Sequence, residues 1–213
     1  MIFLPLRENK SNILTYLSIG CIILAFIIII LFHIFRVDHN PISQTMSEYT
    51  IGPFGIFLPI TLIALGSSSF LSYSALRETL PMTRLIKNGI RALLSWAIFI
   101  TIAGIFPMDY IAGPYSFSGI IHGVSSYFAF LSLPFSYFYL SLFYRKEAGS
   151  SFNFYRFQIY FFISLSGFIF YLISPLGYKG LTQRLFLGIL IITYIDLIAI
   201  PLRKTKKLSE KET

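Results

Sequence analysis

NILTYLSIGCIILAFIIIILFHIF, residues 12–35, is a 24-residue run without a charged side chain. At about 1.5 Å per residue, a helix of that length crosses a hydrocarbon core about 30 Å thick. A membrane strand would instead alternate apolar and polar residues over about 10 positions. The run therefore reads as a transmembrane helix. No small-residue cleavage site follows Phe35, so the segment is expected to be retained rather than removed as a signal peptide. The run also holds Cys21, the only cysteine, which excludes an intramolecular disulfide. SIGC (18–21) does not fit a lipoprotein cleavage box. Ser18 stands where an apolar residue is needed, and the apolar run follows the cysteine instead of preceding it. Cys21 is read as an ordinary lipid-buried residue.

The rest of the chain repeats this pattern. Of 213 residues, 55% are hydrophobic and 12% charged, and the mean hydropathy is +0.73. A soluble domain carries about 25% charged residues. Six apolar segments are expected, over 12–35, 53–75, 89–106, 117–144, 156–174 and 185–202. The expected fold class is all-α: a polytopic six-transmembrane-helix bundle, forming one domain over 1–202 with a basic tail over 203–213.

Orientation follows from Lys and Arg, which collect on the cytoplasmic side. Arg7 and Lys10 precede the first span. Arg77, Arg84, Lys87 and Arg91 surround the second connection, and Arg145, Lys146 and Arg156 the fourth. Arg203, Lys204, Lys206, Lys207 and Lys211 follow the last span. These fourteen alternate with only three on the opposite side, Arg36, Lys179 and Arg184. Both termini are therefore expected in the cytoplasm, with the chain a multi-pass protein of a prokaryotic plasma (inner) membrane. The net charge of +8 is explained by this bias. No basic stretch is interleaved with stacking aromatics in a polar segment, so nucleic acid is not expected as a partner. The tail is expected to anchor topology and touch anionic lipid head groups.

The outer connections are rich in polar groups. RVDHNPISQTMSEYTIGP (36–53) carries Asp38, His39, Ser43, Ser47, Glu48 and Tyr49. PMDYIAGPYSFSGIIHG (107–123) carries Asp109 and His122. PLGYKGLTQR (175–184) ends in Gln183 and Arg184. Ionisable groups at membrane depth are costly and usually face a bundle interior or a wet cavity. In the fourth span, Ser118, His122, Ser125, Ala129, Ser132 and Ser136 recur at spacings of three and four, one stripe on a helix. Small and hydroxyl residues let helices approach closely in lipid, so this span is expected to be central.

Asp109 and His122 flank a turn containing Gly113 and Pro114, which would bring them together if spans three and four are antiparallel. Glu48 opens span two and Arg184 opens span six. Three readings stay open for this group. It is a salt-bridge network at helix ends, or a site for a lipid-like head group, or a hydrolytic centre with His122 and Asp109 catalytic. In the second, Ser47, Glu48, Asp109, His122 and Arg184 bind the ligand, Arg184 taking a phosphate or carboxylate. Arg184 is also the expected cation for Asp109. Zinc needs three protein ligands, and Glu48, Asp109 and His122 are the available set, but no pair has metal-type spacing, so no metal is expected. Asp196, inside span six, is either a proton relay for a small transporter or the partner of a base such as Arg91. His33 is read as interfacial, and Trp96 as part of an aromatic belt. No phosphate-binding glycine loop, dinucleotide fingerprint or serine-nucleophile elbow occurs, and the histidines give haem little support. No cofactor is expected.

Taken in order, SEYTIGPFG (47–55), GIFPMD (104–109), HG (122–123) and GLTQR (180–184) resemble DUF998, a family of uncharacterised prokaryotic six-span membrane proteins. The similarity runs from the first span to the last. It implies the architecture and, as matching positions, Ser47, Glu48, Pro107, Asp109, His122 and Arg184, but no reaction. A fainter likeness is to the Frag/DRAM/Sfk group, six-span proteins associated with membrane trafficking and lipid organisation. The leading expectation is a non-enzymatic protein that binds or senses a lipid-like amphiphile, with membrane lipids as partners. If it is an enzyme, a lipid hydrolase is expected.

Overall fold

The computed structural model of the chain describes residues 3–109, 114 and 116–204. Gly113 in the expected turn, and tail residues 205–213 with Lys206, Lys207 and Lys211, lie outside the described residues. Six α-helices follow one another: α1 Phe3–Phe35, α2 Phe57–Thr79, α3 Arg84–Ile105, α4 Phe117–Lys146, α5 Ser151–Ile173 and α6 Lys179–Ile198. All six are long and apolar enough to cross a membrane. No strand occurs among the described residues.

Local chemistry sets the ends. Thr83, Ser116 and Ser150 cap α3, α4 and α5, each side chain accepting from the backbone N–H three residues on. Such hydroxyls satisfy donors that a helix N-terminus leaves open. Pro81 separates α2 from α3, and Pro107 follows α3, where the absent N–H and fixed φ discourage continuation. The fourth helix runs on through Pro134.

Two boundaries differ from expectation in ways that matter. The third helix starts at Arg84 rather than 89, so Trp96 falls mid-helix, only 2% exposed. It belongs to the core and not to an aromatic belt. The sixth helix starts at Lys179, after a 3-10 helix at Leu176–Tyr178, so Arg184 is more than a turn inside it. The stretch expected as loop 175–184 is mostly helical because α6 grips the first loop there. The Leu181 N–H donates to the Ile42 carbonyl at 2.9 Å. A Cβ on Gly180 would lie 2.2 Å from the Gln44 oxygen, a contact only glycine permits.

Helices adjacent in sequence pack against each other from α1 to α6, as in an up-and-down bundle. One end gathers the α1–α2, α3–α4 and α5–α6 connections, called here the loop face. The other, the terminal face, gathers the start of α1, the end of α6 and the remaining connections. The fourth helix is the most buried of the six and packs on both α3 and α5. His122, Ser125, Ala129 and Ser136 of its small-residue stripe are buried, while Ser118 and Ser132 are half-exposed.

The sixth helix reaches α1 and α2 through a polar cluster that the sequence did not announce. The Tyr194 hydroxyl lies 2.9–3.1 Å from the Ser68, Ser69 and Ser72 hydroxyls, and Ser18 of α1 bonds to Ser68 and Ser72 at 2.8 Å. All five are at most 1% exposed. Interhelical hydroxyl bonds of this kind are worth about 0.6 kcal/mol each in lipid.

Candidate functional site

The first loop is folded around one cation. Arg36, 5% exposed, grips Asp38 through Nε at 2.8 Å and Nη2 at 2.9 Å. It also donates to the carbonyls of Tyr49 (3.2 Å), Ile51 (2.8 Å) and Pro53 (2.9 Å). A guanidinium offers five N–H donors in a planar fork, which lets one side chain hold both limbs of a loop. The Asp38 carboxyl is held below its ordinary range by the Arg36 hydrogen bonds.

Tyr49 fills the space beside it, 1% exposed. Its ring stacks on His39 at 4.0 Å and on Phe32 at 4.7 Å, with the Arg36 and Arg184 guanidinium carbons 5.8 and 5.7 Å from its centroid. His39 donates through Nε2 to the Thr45 carbonyl at 3.0 Å. A carbonyl only accepts, so Nε2 carries the proton. Burial pushes the His39 pKa down. Glu48, also buried, takes the Thr45 backbone N–H at 2.6 Å and its hydroxyl at 3.1 Å. It caps the 3-10 helix Met46–Thr50.

Arg184 joins this loop to α6. Its Nη1 donates to the carbonyls of Pro41 and Gln44 at 2.8 Å and of Gly180 at 3.0 Å. Its Nε donates to His33 Nε2 at 3.1 Å. His33 must then carry its proton on Nδ1, which faces the Ile29 carbonyl at 2.8 Å. Among the described residues, no ion pair involves Arg184. Nη2 has only a long 3.4 Å contact to the Tyr49 hydroxyl. Arg184 is thus a fixed positive charge with donor capacity left.

Below it lies a cavity of about 260 Å³ between α1, α2, α3, α4 and α6. His33, Ser47, Gln183 and Arg184 supply polar groups at its loop-face end. Gln183, 3% exposed, is held by the Met46 N–H at 2.6 Å. The body is apolar, with Phe26, Leu58, Leu62, Ile100 and Phe130 among its walls and Trp96 in its lining. An apolar body with a few fixed polar groups at one end suits a small amphiphile.

Asp109 and His122 lie elsewhere, at the α3–α4 corner. Asp109 accepts from the Ser116 N–H at 2.6 Å and its hydroxyl at 3.0 Å. Its carboxylate rests on Gly119, where a Cβ would lie 2.0 Å from Oδ2. The expected Asp109–Arg184 pair does not form, because each side chain is used by its own neighbouring backbone. The His122 Nδ1 sits 2.7 Å from the Ala103 carbonyl and 2.9 Å from that of Phe106, so it donates to the open end of α3. Its Nε2 is buried without a partner among the described residues.

The expected single cluster is therefore two. Glu48, Ser47 and Arg184 belong to the first loop and α6, while Asp109 and His122 belong to the corner. The Thr50 hydroxyl, donating to the Met108 carbonyl at 3.3 Å, links them. The set Glu48, Asp109 and His122 is not assembled, and among the described residues no three His, Cys, Asp or Glu side chains are placed to hold a metal.

At the terminal face, Asp196 is engaged by Arg203 at 2.6 Å, Arg156 at 3.5 Å and the Tyr160 hydroxyl at 3.0 Å. The expected partner Arg91 is on α3, whereas α6 packs beside α5, which carries Arg156 and Tyr160. Arg36, Tyr49 and His33, each visible in the sequence as an outer-side residue, were not expected to build the site. An arginine placed directly after a 24-residue apolar run was the available signal for the first of them.

Residues 19–199 match the sequence profile of DUF998, proteins of unknown function. No curated protein and no solved structure matches the chain.

Proposed function

The chain belongs to the DUF998 family, and on that premise we propose that it binds or senses a lipid-like amphiphile in the outer leaflet of a prokaryotic plasma membrane. The cavity beneath Arg184 carries this reading. A phosphate or carboxylate would meet the guanidinium, with Ser47 and Gln183 beside it, while the chain of the ligand enters the apolar body. Arg suits this role because its planar donors match both oxyanions. Glu48 acts indirectly, by fixing the loop that brings Ser47 to the polar end of the cavity. The bias of fourteen basic residues against three supports cytoplasmic termini, and so an outer position for that end.

Native mass spectrometry of the purified protein tests the reading. Wild type is expected to retain an anionic amphiphile, and Arg184→Ala to lose it. Because Arg184 also holds the first loop, a second variant is needed. Gly188 lines the cavity, and a Cβ there meets nothing within 4 Å. Gly188→Phe should fill the cavity and exclude the ligand while the helix keeps its stability. Equal retention in wild type and both variants would remove the proposal.

A lipid hydrolase has one observation in its favour, the unpartnered Nε2 of His122. Its orienting groups are backbone carbonyls rather than Asp109, and His122 is not in the cavity lining. A proton relay at Asp196 would have to release two arginines first. Amphiphile binding without turnover is therefore the favoured reading.

A further inference from the structure

The lipid-facing stripe of α3 changes chemistry along its length. Ile105 and Ile98 are 59% and 42% exposed. The same stripe continues at Arg91, Lys87 and Arg84, all exposed, at spacings of seven, four and three. None of these three side chains has a hydrogen bond or an ion pair with another described residue. Several other cations of the terminal face are engaged: Lys10 with Glu78 at 3.3 Å, Lys204 with the Thr79 carbonyl at 2.7 Å, and Arg156 and Arg203 with Asp196. The third helix packs on α2 and α4. Glu78, near the end of α2, is taken by Lys10, and Glu147, just past α4, makes no ion pair with the stripe.

Depth makes the stripe more than a solvated edge. Between Arg91 and the end of α3 lie 14 residues, Ala92 to Ile105, about 21 Å of helix. Asp109, the next charged group toward the loop face, adds about one turn of depth. Its carboxylate rests on Gly119 of α4, while the end of α3 meets His122, three residues further in. The total of about 26 Å is less than a hydrocarbon core of about 30 Å, so the Arg91 backbone is at the level of lipid chains. A helical side chain leans toward the helix N-terminus, which for α3 is the terminal face. The guanidinium therefore snorkels toward Lys87 and Arg84. Three cations then gather near the level of lipid phosphates, where each adds to the attraction for an anionic head group.

We propose that Arg84, Lys87 and Arg91 hold the head group of an anionic phospholipid from the leaflet at the terminal face. Arg91 takes the phosphate from the side of the chains through its planar fork, and Lys87 and Arg84 face it from the side of water. The acyl chains lie along Leu94 and Ile98. A zwitterionic lipid fits less well, since its ammonium would meet three cations and no carboxylate in the stripe. A soluble acidic partner cannot follow Arg91 to this depth, which makes the occupant a lipid. None of the three residues lines the cavity below Arg184, so this site stands apart from the amphiphile reading.

Native mass spectrometry of the full-length protein in detergent tests the proposal, with phosphatidylglycerol and phosphatidylcholine of matched chains as probes. Wild type is expected to bind phosphatidylglycerol about tenfold more tightly. Arg84→Gln, Lys87→Gln and Arg91→Gln together should bring the two affinities within about twofold. These side chains hold no other described group, so the thermal-unfolding midpoint should stay unchanged. Lys206→Gln, Lys207→Gln and Lys211→Gln remove the same charge from the tail and should keep the preference. Equal affinities in wild type overturn the proposal and need no variant to fold. A preference that survives the stripe variant, or that the tail variant loses equally, also overturns it. So does release of the bound lipid by millimolar glycerol phosphate, since the head group alone would then suffice.

Discussion

Arg36 shows how one residue can decide a loop. Its five hydrogen bonds reach Asp38 and three backbone carbonyls that no helix or strand could satisfy. Arg36→Met keeps much of the side-chain bulk but leaves those carbonyls open, at about 1–3 kcal/mol for each one kept from water. A clear fall in the thermal-unfolding midpoint is expected, with Arg36→Lys intermediate because an ammonium cannot fork. An unchanged midpoint would show that the loop is held by something else. His39 adds a pH dependence. Burial lowers its folded pKa below its unfolded value of about 6.5, so folding favours the neutral ring. That contribution is fully present above about pH 6.5 and is lost as pH falls toward the folded pKa. Melting curves from pH 8 to 5 should show the decline, and His39→Gln should flatten it. Glu48 was legible as a polar residue in this loop. That it accepts from the Thr45 N–H and hydroxyl was not, because three residues of spacing fit a cap and a site equally well.

At the scale of elements, the α3–α4 corner is held by reciprocal contacts. Asp109 binds Ser116, Ser116 caps α4 at Gly119, and the Asp109 carboxylate occupies the space beside that glycine. Gly119→Ala is expected to destabilise the protein by about 1–3 kcal/mol, the usual cost of overpacking. Asp109→Ala removes the atoms it would strike, so the double variant should lose less than the sum of the singles. Additive losses would mean that the two residues act independently. His122 serves the same corner by covering the last carbonyls of α3, so His122→Leu should loosen it as well. The acid and the imidazole were legible as neighbours across a short turn. Their separate hydrogen bonds were not, because the order of residues does not say which backbone groups the end of α3 leaves open.

At the scale of the molecule, the six helices form an up-and-down bundle whose two faces differ in chemistry. A single-cysteine series tests its orientation. With Cys21 replaced by serine, a cysteine at Val37, 91% exposed in the first loop, should react with an impermeant maleimide added to intact cells. A cysteine at Lys204, on the terminal face, should react only after the membrane is opened. The reverse pattern would turn the bundle over and put the polar end of the cavity on the cytoplasmic side.

The apolar runs by themselves determined the six helices, because in lipid every backbone group must be satisfied within its own segment, and a long uncharged run leaves only the helix. Family membership was also legible, in four short motifs spread along the chain. The cavity was decided by tertiary structure. Its lining comes from α1, α2, α3, α4, α6 and the first loop, residues far apart in the chain that only packing brings together. The pairing of charges was decided there too. Asp109 and Arg184 looked complementary along the sequence, but Asp109 accepts from the Ser116 N–H and Arg184 donates to the Pro41 and Gln44 carbonyls, and a partly buried charge is held by the nearest groups that can hydrogen-bond to it.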